Sequence, residues 1–254
     1  MIGIIGGTGF YNVDFFGESE QVFVDTEYGK VEFWKGWHAG HEVLFLPRHG
    51  AKHERLAYQV QHEANLLAFK EMGVQRIFAT VAAGGINKDY QAGDLILLDQ
   101  FISFHTRKFT YGKYSVDMTE PYCPQLRNLI RQVARDLDYP LHETGNYLSF
   151  DGPRYETAAE IRAFGILGAD MVGMTNAPEA ALARELGICY CTVAVITNRA
   201  AGLSQQGPDL KQHSKVVKEN STKVLNLFSA AIKALPERTT CDCAHYLERA
   251  LKAR

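Results

Sequence analysis

The chain has 254 residues, of which 46% are hydrophobic and 22% are charged, and its formal net charge is -2. This balance is typical of a globular protein with a sizeable core, and it gives no electrostatic reason to expect nucleic acid or an anionic membrane as the partner. No apolar run approaches the roughly 20 residues that span a bilayer, and residues 1–7 lack the basic segment of a signal peptide. We therefore expect a cytoplasmic protein.

The first half of the sequence predicts several strands and two helices. Four β-type runs separated by glycines come first, and an amphipathic helix that ends before Gly73 follows them. Two fully apolar strands, an irregular aromatic-rich segment and a second helix complete this half. In chain order, these predicted elements are strands 1–6, 21–26, 30–37 and 42–47, helix 56–72, strands 76–81 and 94–99, the irregular segment 103–121 and helix 124–138.

The second half continues the alternation of strands and helices. The predicted elements are strand 145–150, helix 155–164, strand 170–173, a helix capped by Asn176 that ends at Gly187, strand 188–197 and helices 208–234 and 243–252. We find no internal repeat, low-complexity tract or dividing linker. This alternation predicts one α/β sandwich with a mixed sheet over residues 1–254.

The cysteines do not form an evident zinc motif. They are Cys123, Cys189, Cys191, Cys241 and Cys243. The two C-x-C pairs are tighter than the usual C-x₂-C knuckle and lack matching partners, so the spacing favours reduced thiols and no metal site.

Two glycine-containing turns are candidates for ligand contact. The apolar run 76–81 leads into small residues and two glycines at 79–85, where a ligand can approach the backbone closely. The turn after the first strand contains Gly6, Gly7, Thr8 and Gly9, whose N–H groups and hydroxyl suit an anion. A plain tight turn explains this second pattern equally well.

Arg48 and His49 follow another apolar strand. A guanidinium next to an imidazole suits an oxyanion, because the arginine fork can bind two oxygens at once. A solvated basic loop is the alternative, since further basic residues follow closely. His49 and His53 are four residues apart, but no glutamate follows the first histidine, which excludes the metalloprotease motif.

Polar and aromatic side chains near other predicted strand ends could recognise a base. Tyr155 could present a flat face, and Glu156 could accept a hydrogen bond from a ring N–H. The alternatives are a partly buried aromatic side chain and a glutamate in the first turn of a helix. Asn198 ends the long strand as either a turn residue or a ligand-contacting residue, and Met174 and Thr175 end a short strand.

Together these segments resemble the trimeric class of nucleoside phosphorylases, which contains purine nucleoside phosphorylase and methylthioadenosine phosphorylase. The matching segments occur in the same order as in the family and extend over about residues 3–230. The resemblance implies a single-domain, three-layer α/β sandwich with a central mixed sheet flanked by helices. The matching segments are 5–10, 46–50, 60–65, 81–85, 93–94, 99–102, 120–124, 152–157, 172–175, 178–179 and 194–198.

The resemblance implies phosphorolysis, in which phosphate attacks the anomeric carbon of a nucleoside. It requires no metal or cofactor, with phosphate as co-substrate, and implies a homotrimer or a dimer of trimers. The family's C-x-C tail, matched by residues 241–243, can form a disulfide in some members. The implied phosphate-binding residues are Thr8, Arg48, His49, Ala82 and Thr175. The implied sugar and base contacts are Ala83, Gly84, Tyr155, Glu156, Met174, Asn198 and His213, with Asn198, Glu156 and His49 as the catalytic residues.

Hydrogen-bond complementarity predicts the base. The Asn198 amide can donate to O6 of a 6-oxopurine while its carbonyl accepts a proton from N7, and Glu156 can accept from N1–H. Adenine presents the reverse pattern, and each unsatisfied buried group costs roughly 1–3 kcal/mol. The aminopurine branch of the family carries an aspartate-containing stretch at this point, which this chain lacks. We therefore expect hypoxanthine and guanine nucleosides as substrates.

The 5′ substituent and the reaction class retain alternatives. If His213 faces the pocket, inosine and guanosine are the natural substrates. If Leu210 and Val217 face it, methylthioinosine is favoured, with methylthioadenosine less favoured. A hydrolase that uses water and a non-catalytic nucleoside-binding module are the alternatives from other classes.

Overall fold

The computed structural model describes residues 1–7, 9–10, 16–113, 115–204, 210–237 and 239–252, without the side chains of residues 210–214, 250 and 251. Its strands are β1 (Ile2–Gly6), β2 (Ser19–Thr26), β3 (Gly29–His38), β4 (His41–Pro47), β5 (Arg76–Gly85), β6 (Leu95–Leu97), β7 (Gln100–Phe104), β8 (Asn146–Phe150), β9 (Met171–Gly173) and β10 (Cys189–Arg199). Its α-helices are α1 (His62–Glu71), α2 (Pro124–Asp136), α3 (Ala158–Ile166), α4 (Asn176–Glu185), α5 (Leu210–Lys233) and α6 (Cys243–Lys252).

The strands form one mixed sheet. Its main path runs β2-β3-β4-β1-β5-β9-β8-β7, and β10 pairs with both β5 and β6. The β1–β4, β1–β5, β5–β10, β7–β8 and β8–β9 pairs are parallel, whereas β2–β3, β3–β4, β5–β9 and β6–β10 are antiparallel. The predicted α/β fold with a mixed sheet is confirmed.

Helices cover both faces of this sheet. Ile4 and Phe78 pack in one buried cluster with α2 and α5, while their neighbours Ile5 and Ile77 pack in another with α1 and α4. Successive strand residues point to opposite faces, so a continuous apolar run is buried on both sides. The result is the predicted three-layer arrangement.

Several predicted element boundaries are wrong. The helix predicted over 56–72 is a short 3₁₀ turn at Ala57–Gln59 followed by α1, because Val60 adopts an extended conformation that interrupts the helix. The strand predicted over 76–81 continues to Gly85, since β10 pairs along its whole length. A strand, β7, begins before the segment predicted to be irregular.

The amino ends of two helices also differ from the prediction. Thr175 is the N-cap of α4, and Asn176 is its first residue. The Asn176 side chain instead donates to the hydroxyls of Tyr190 and Thr192, each at 2.9 Å. Helix α3 begins at Ala158, so the preceding residues form a loop.

No helix in the described parts of the chain combines the length and apolarity needed to cross a membrane.

Thr157 closes the loop that precedes α3. Its hydroxyl accepts a hydrogen bond from the Glu160 N–H at 3.1 Å, and the Glu160 carboxylate accepts from the Thr157 N–H at 2.7 Å. Thr157→Ala removes the first of these bonds, so we expect the free energy of unfolding to fall by about 1 kcal/mol. Urea midpoints at fixed protein concentration measure this change. Thr157→Ser, which retains the hydroxyl, should preserve most of the stability, and an equal loss in both variants would contradict a capping role.

Candidate functional site

One cavity of about 240 Å³ collects most of the residues predicted from sequence. It lies beside the loop after β4, the carboxyl half of β5, the end of β9, the loop before α3 and the end of β10. The predicted site residues that line it are Arg48, His49, Ala82, Ala83, Gly84, Tyr155, Glu156, Met174, Thr175 and Asn198. Thr8 lies outside the described residues. His213 lies in α5, but its side chain is outside the described part.

Strand β5 has an open backbone segment at this cavity. On one side, β1 pairs with β5 as far as Ala79, and β9 pairs with it only from Gly84. Between these points the Thr80 carbonyl accepts a hydrogen bond from Arg48 at 2.8 Å. Because the N–H and C=O groups of alternate strand residues point to the same edge, the Ala82 N–H points toward the gap that Arg48 enters. The fold therefore offers a backbone donor next to a guanidinium.

Gly7 leaves the space that Arg48 occupies. A Cβ added at Gly7 would lie 2.7 Å from Arg48 Nη1 and 3.2 Å from the Thr80 carbonyl oxygen. Both atoms are held in the buried interior, so a larger residue would displace the guanidinium. The glycine in this turn thus has a packing role beside the arginine.

Arg48 is buried and paired with a carboxylate. Arg48 and Glu179 are each 1% exposed, and Nε and Nη2 of Arg48 donate to the two carboxylate oxygens at 2.5 and 2.8 Å. Burial opposes the charged form of Arg48, but the Glu179 carboxylate outweighs it and raises the arginine pKa. The alternative of a solvated basic loop is therefore wrong for Arg48.

The pairing still leaves Arg48 with donors for a ligand. A guanidinium has five N–H groups, and bonds to Glu179 and Thr80 use three of them. Among the described residues, one N–H on each terminal nitrogen remains available. This pair lies at the tip of a side chain that lines the cavity, a geometry suited to two oxygens of one anion.

His49 is neutral and has a defined tautomer. Burial, and then the positive charge of Arg48, lower its pKa from 6.5 to about 4. Its Nδ1 lies 3.0 Å from the Arg55 carbonyl oxygen, which can only accept, so the ring proton is on Nδ1. Nε2 is therefore the ring nitrogen that can accept a hydrogen bond from a ligand.

Met174 and Thr175 enter the cavity at the junction of β9 and α4. Thr175 is 6% exposed and begins the helix whose first turn contains Glu179. Gly152 has a φ of 69°, and a Cβ added there would lie 2.5 Å from Met174 Sδ. Glycine at 152 therefore allows the following loop to lie against Met174.

Tyr155 and Glu156 lie in that loop, before the N-cap Thr157. The alternative of a glutamate within the first helical turn is therefore wrong. Tyr155 is 46% exposed, so one face of its ring is accessible. Partial burial raises the pKa of Glu156. The loop thus brings a ring and a partly desolvated carboxyl group to one wall of the cavity.

Asn198 lies at an irregularity in β10. The register of β10 against β5 shifts between Ile196 and Asn198. The Asn198 Oδ1 accepts from the Thr197 hydroxyl at 2.8 Å, and its Nδ2 donates to the Arg199 carbonyl at 2.8 Å. These bonds orient the amide and leave each end capacity for one further bond.

The main residue that sequence reasoning missed is Glu179. The sequence placed Glu179 in the first turn of an apolar helix, which the helix dipole explains without a partner, and in the matching segment 178–179, to which no role was assigned. Tyr190 also donates to Glu179, at 2.6 Å, from the adjacent strand β10. Other cavity-lining residues outside the prediction include His53, Leu56, Thr197 and Ala200.

The structure corrects the expectation that the cysteines lack matching partners. The Sγ atoms of four cysteines all lie within 4.8 Å of one another. These are Cys123, Cys189, Cys241 and Cys243. Motif spacing could not reveal this group, because Cys123 and Cys189 lie far in sequence from Cys241 and Cys243 and only the fold brings them together.

Comparison with known proteins supports one family. A family model described as "Phosphorylase superfamily" matches residues 1–233. A "Probable 6-oxopurine nucleoside phosphorylase" of Dictyoglomus turgidum is 43% identical, covering 97% of this chain and 96% of the relative. A "6-oxopurine nucleoside phosphorylase" of Pyrococcus furiosus is 41% identical, with 98% of each chain covered.

A second group of relatives is named for a different activity. An "S-methyl-5'-thioadenosine phosphorylase" of Pyrococcus horikoshii is 41% identical, with 97% of each chain covered. The solved structure of a methylthioadenosine phosphorylase from Schistosoma mansoni, in complex with adenine, has a TM-score of 0.90 at 26% identity. It covers 100% of this chain and 98% of its own. From the family match and the full-length relatives, we conclude that the chain belongs to the phosphorylase superfamily.

Proposed function

We propose that the protein catalyses phosphorolysis of 6-oxopurine nucleosides, inosine and guanosine, to the free base and ribose 1-phosphate. The observation that carries this proposal is that Glu156 and Asn198 line the same cavity as Arg48. Groups suited to the edge of a 6-oxopurine thus lie in one site with a donor suited to phosphate. Family membership and the named 6-oxopurine relatives support the same reaction class.

Phosphate binds in the gap beside β5. The two remaining N–H groups of Arg48 and the Ala82 N–H donate to its oxygens, and Thr175 supplies a hydroxyl. Neutral His49 accepts a hydrogen bond at Nε2 from the hydroxyl of a monoprotonated phosphate, which turns the charged oxygens of the phosphate toward the sugar. Thr8 completes this set by resemblance.

The sugar lies between phosphate and base, against Ala83, Gly84 and Met174. Cleavage of the bond to the base leaves positive charge on the sugar, and the adjacent phosphate stabilises it because both ions are held in a water-poor cavity. Phosphate then bonds to the anomeric carbon, and the electrons of the broken bond leave with the base.

The base site stabilises the charge that develops on the leaving purine. Asn198 donates from Nδ2 to O6 and, once N7 of the departing base has taken a proton from water, accepts from N7–H at Oδ1. Glu156 accepts from N1–H and Tyr155 stacks on the ring, and both contacts orient the base. The bond from Asn198 Nδ2 to O6 strengthens as negative charge develops on the base, so it favours the transition state over the bound substrate.

Overall identity does not distinguish the two groups of relatives. Both named activities occur among relatives that are 41% identical to this chain. Adenine would place its N1 lone pair against the Glu156 carboxylate, without a proton between them. We therefore propose a 6-oxopurine as the base.

A 5′-methylthio sugar with the same base is the second candidate. Helix α5 approaches the turn after β1, because a Cβ added at Gly9 would lie 2.4 Å from Val217 Cγ1. Val217 is buried in the hydrophobic core and is not among the described residues that line the cavity. Methylthioinosine therefore stands as the second candidate on the resemblance and on the relatives named methylthioadenosine phosphorylase.

We also propose a homotrimer, or a dimer of trimers, in the cytoplasm, with phosphate as the co-substrate and no resident cofactor. The resemblance to trimeric phosphorylases supports the assembly. Apolar side chains such as Trp37 and Ile166, which are 65% and 87% exposed in the single chain, offer surface for subunit contacts.

A substrate panel tests the reaction and the substrate together. Inosine, guanosine, adenosine, methylthioadenosine and methylthioinosine are each incubated with and without phosphate, and base release is followed by chromatography. We expect hypoxanthine and guanine to appear only with phosphate. Release without phosphate would indicate a hydrolase, and binding without any release would indicate a nucleoside-binding module.

The Asn198→Asp variant tests base recognition. An aspartate cannot donate to O6 but can accept from the 6-amino group of adenine. We expect the ratio of kcat/KM for inosine to that for adenosine to fall roughly 10- to 100-fold, equivalent to about 1–3 kcal/mol. Asn198→Ala serves as the control, since it removes the amide without adding an acceptor. An unchanged ratio in Asn198→Asp would exclude Asn198 from base selection.

The Arg48→Lys variant tests phosphate binding while it retains a positive charge beside Glu179. One ammonium group cannot reproduce the fork that contacts both Glu179 and phosphate. We expect KM for phosphate to rise about tenfold or more, and KM for inosine to change much less.

Arg184→Lys is the matched control for Arg48→Lys. Arg184 is also buried, at 3% exposure, but it does not line the described cavity. Its substitution should affect thermal stability without a selective effect on phosphate. If Arg48→Lys raises both Michaelis constants equally, the role of Arg48 is structural.

The lowered pKa of His49 predicts a particular pH dependence. With a pKa of about 4, His49 stays neutral between about pH 5.5 and pH 8 and is protonated only in more acid solution. The profile of kcat/KM for phosphate should therefore have the same shape in wild type and His49→Gln over this range, at a lower level in the variant. Phosphate's own ionisation contributes equally to both. An inflection near pH 6.5 in wild type alone would contradict a neutral His49.

A further inference from the structure

Four cysteines form a cluster that phosphorolysis does not use. Their sulfurs lie within 4.8 Å of one another, and Cys189 Sγ and Cys241 Sγ are 3.3 Å apart. In a tetrahedral zinc tetrathiolate, Zn–S bonds of about 2.3 Å give sulfur–sulfur edges of about 3.8 Å. The distance of 3.3 Å between Cys189 and Cys241 and the upper limit of 4.8 Å for all pairs bracket this edge length, so small side-chain rotations could bring all four sulfurs to one ion.

Three separate parts of the chain supply the thiols. Cys123 is the N-cap of α2, Cys189 begins β10, and Cys241 and Cys243 flank the start of α6. The Cys123 N–H donates to the Tyr190 carbonyl at 2.8 Å, which fixes α2 against β10. The Thr240 N–H donates to Gln125 Oε1 at 3.1 Å, which holds the C-terminal segment beside the start of α2. These two hydrogen bonds hold the three cysteine-bearing segments next to one another.

The surroundings suit a negatively charged metal centre. Cys123, Cys189 and Cys243 are 1%, 4% and 3% exposed, so water has little access to their sulfurs. The amino ends of both α2 and α6 meet at the cluster, and the positive end of a helix dipole stabilises thiolate. Four thiolates around a divalent cation keep a net negative charge. The positive amino ends of α2 and α6 offset part of it.

We propose that Cys123, Cys189, Cys241 and Cys243 bind one Zn²⁺ in a closed, tetrahedral structural site. Four sulfur ligands in this geometry are typical of zinc. On binding, each thiol releases its proton to solvent, and the resulting thiolate donates an electron pair to the metal. No oxidation or reduction takes place.

The site is structural because it lies far from the proposed reaction. Cys189 begins β10 and Asn198 lies near its other end, nine residues later, a span of about 30 Å in an extended strand. The cluster joins α6 to the sheet and to α2. Zinc therefore fastens the C-terminal helix to the core.

Metal analysis of the intact protein tests the proposal. The protein is isolated without a metal-affinity step or chelator, under reducing conditions, and analysed by mass spectrometry of the elements. We expect about one zinc per chain in wild type and less than about a tenth of that in the Cys241→Ser/Cys243→Ser double variant. Cys191→Ala is the matched control, because Cys191 is buried on the same strand outside the four-thiol cluster and its loss should leave zinc unchanged.

Two measurements on wild type do not depend on the variants folding. Apoprotein titrated with Co²⁺ should develop the intense visible absorption of tetrahedral cobalt thiolate at one equivalent. Removal of zinc by a chelator should lower the Tm by roughly 5–15 °C, and Zn²⁺ should restore it.

Several results would overturn the zinc site, and all are independent of nucleoside turnover. They are disulfide-linked peptides from this cluster in protein kept anaerobic, iron in place of zinc, an absent tetrahedral cobalt spectrum, and equal zinc content in the double variant. A protein that binds zinc as proposed but has no phosphorylase activity would refute only the proposed reaction.

Discussion

The buried ion pair between Arg48 and Glu179 is the constraint on which the site depends. It joins the end of β4 to α4, and further bonds from Arg48 to Thr80 and from Tyr190 to Glu179 bring β5 and β10 into the same network. A charge buried without partners is strongly unfavourable, and loss of one partner from such a pair costs roughly 3–5 kcal/mol. The network therefore fixes where four elements meet.

That meeting point determines where an anion can bind. Because β1 leaves β5 at Ala79 and β9 joins it only at Gly84, the sheet has a gap whose backbone is open to a ligand. Arg48 enters this gap, and the described residues leave two of its N–H groups without a partner. The carboxylate thus holds the guanidinium in place without consuming its capacity for phosphate. Ala83 and Gly84 lie on β5 and Asn198 lies on the paired strand β10, so the register of these two strands positions the proposed sugar and base contacts beside this gap.

The sequence predicted those helices, strands and site residues whose pattern lies within one short segment of the chain. Apolar strands that end in glycine or polar residues can be recognised one segment at a time, and this local pattern singled out Arg48, the turn at 79–85 and Asn198. The role of Ala82 came from the family resemblance, and the parallel pairing of the strands brings these residues to one cavity. The pairing of Arg48 with Glu179 joins residues 131 positions apart and leaves no local pattern. The helix break at Val60 and the four-thiol cluster depend likewise on tertiary contacts.

The central claim is that one cavity brings phosphate and a 6-oxopurine nucleoside together for direct transfer. ³¹P NMR of the protein with inosine and phosphate tests it most directly, combined with quantification of hypoxanthine in the same sample. We expect sugar 1-phosphate and hypoxanthine to form in equal amounts, and neither to form when phosphate is omitted. Free ribose with hypoxanthine in the absence of phosphate would contradict it.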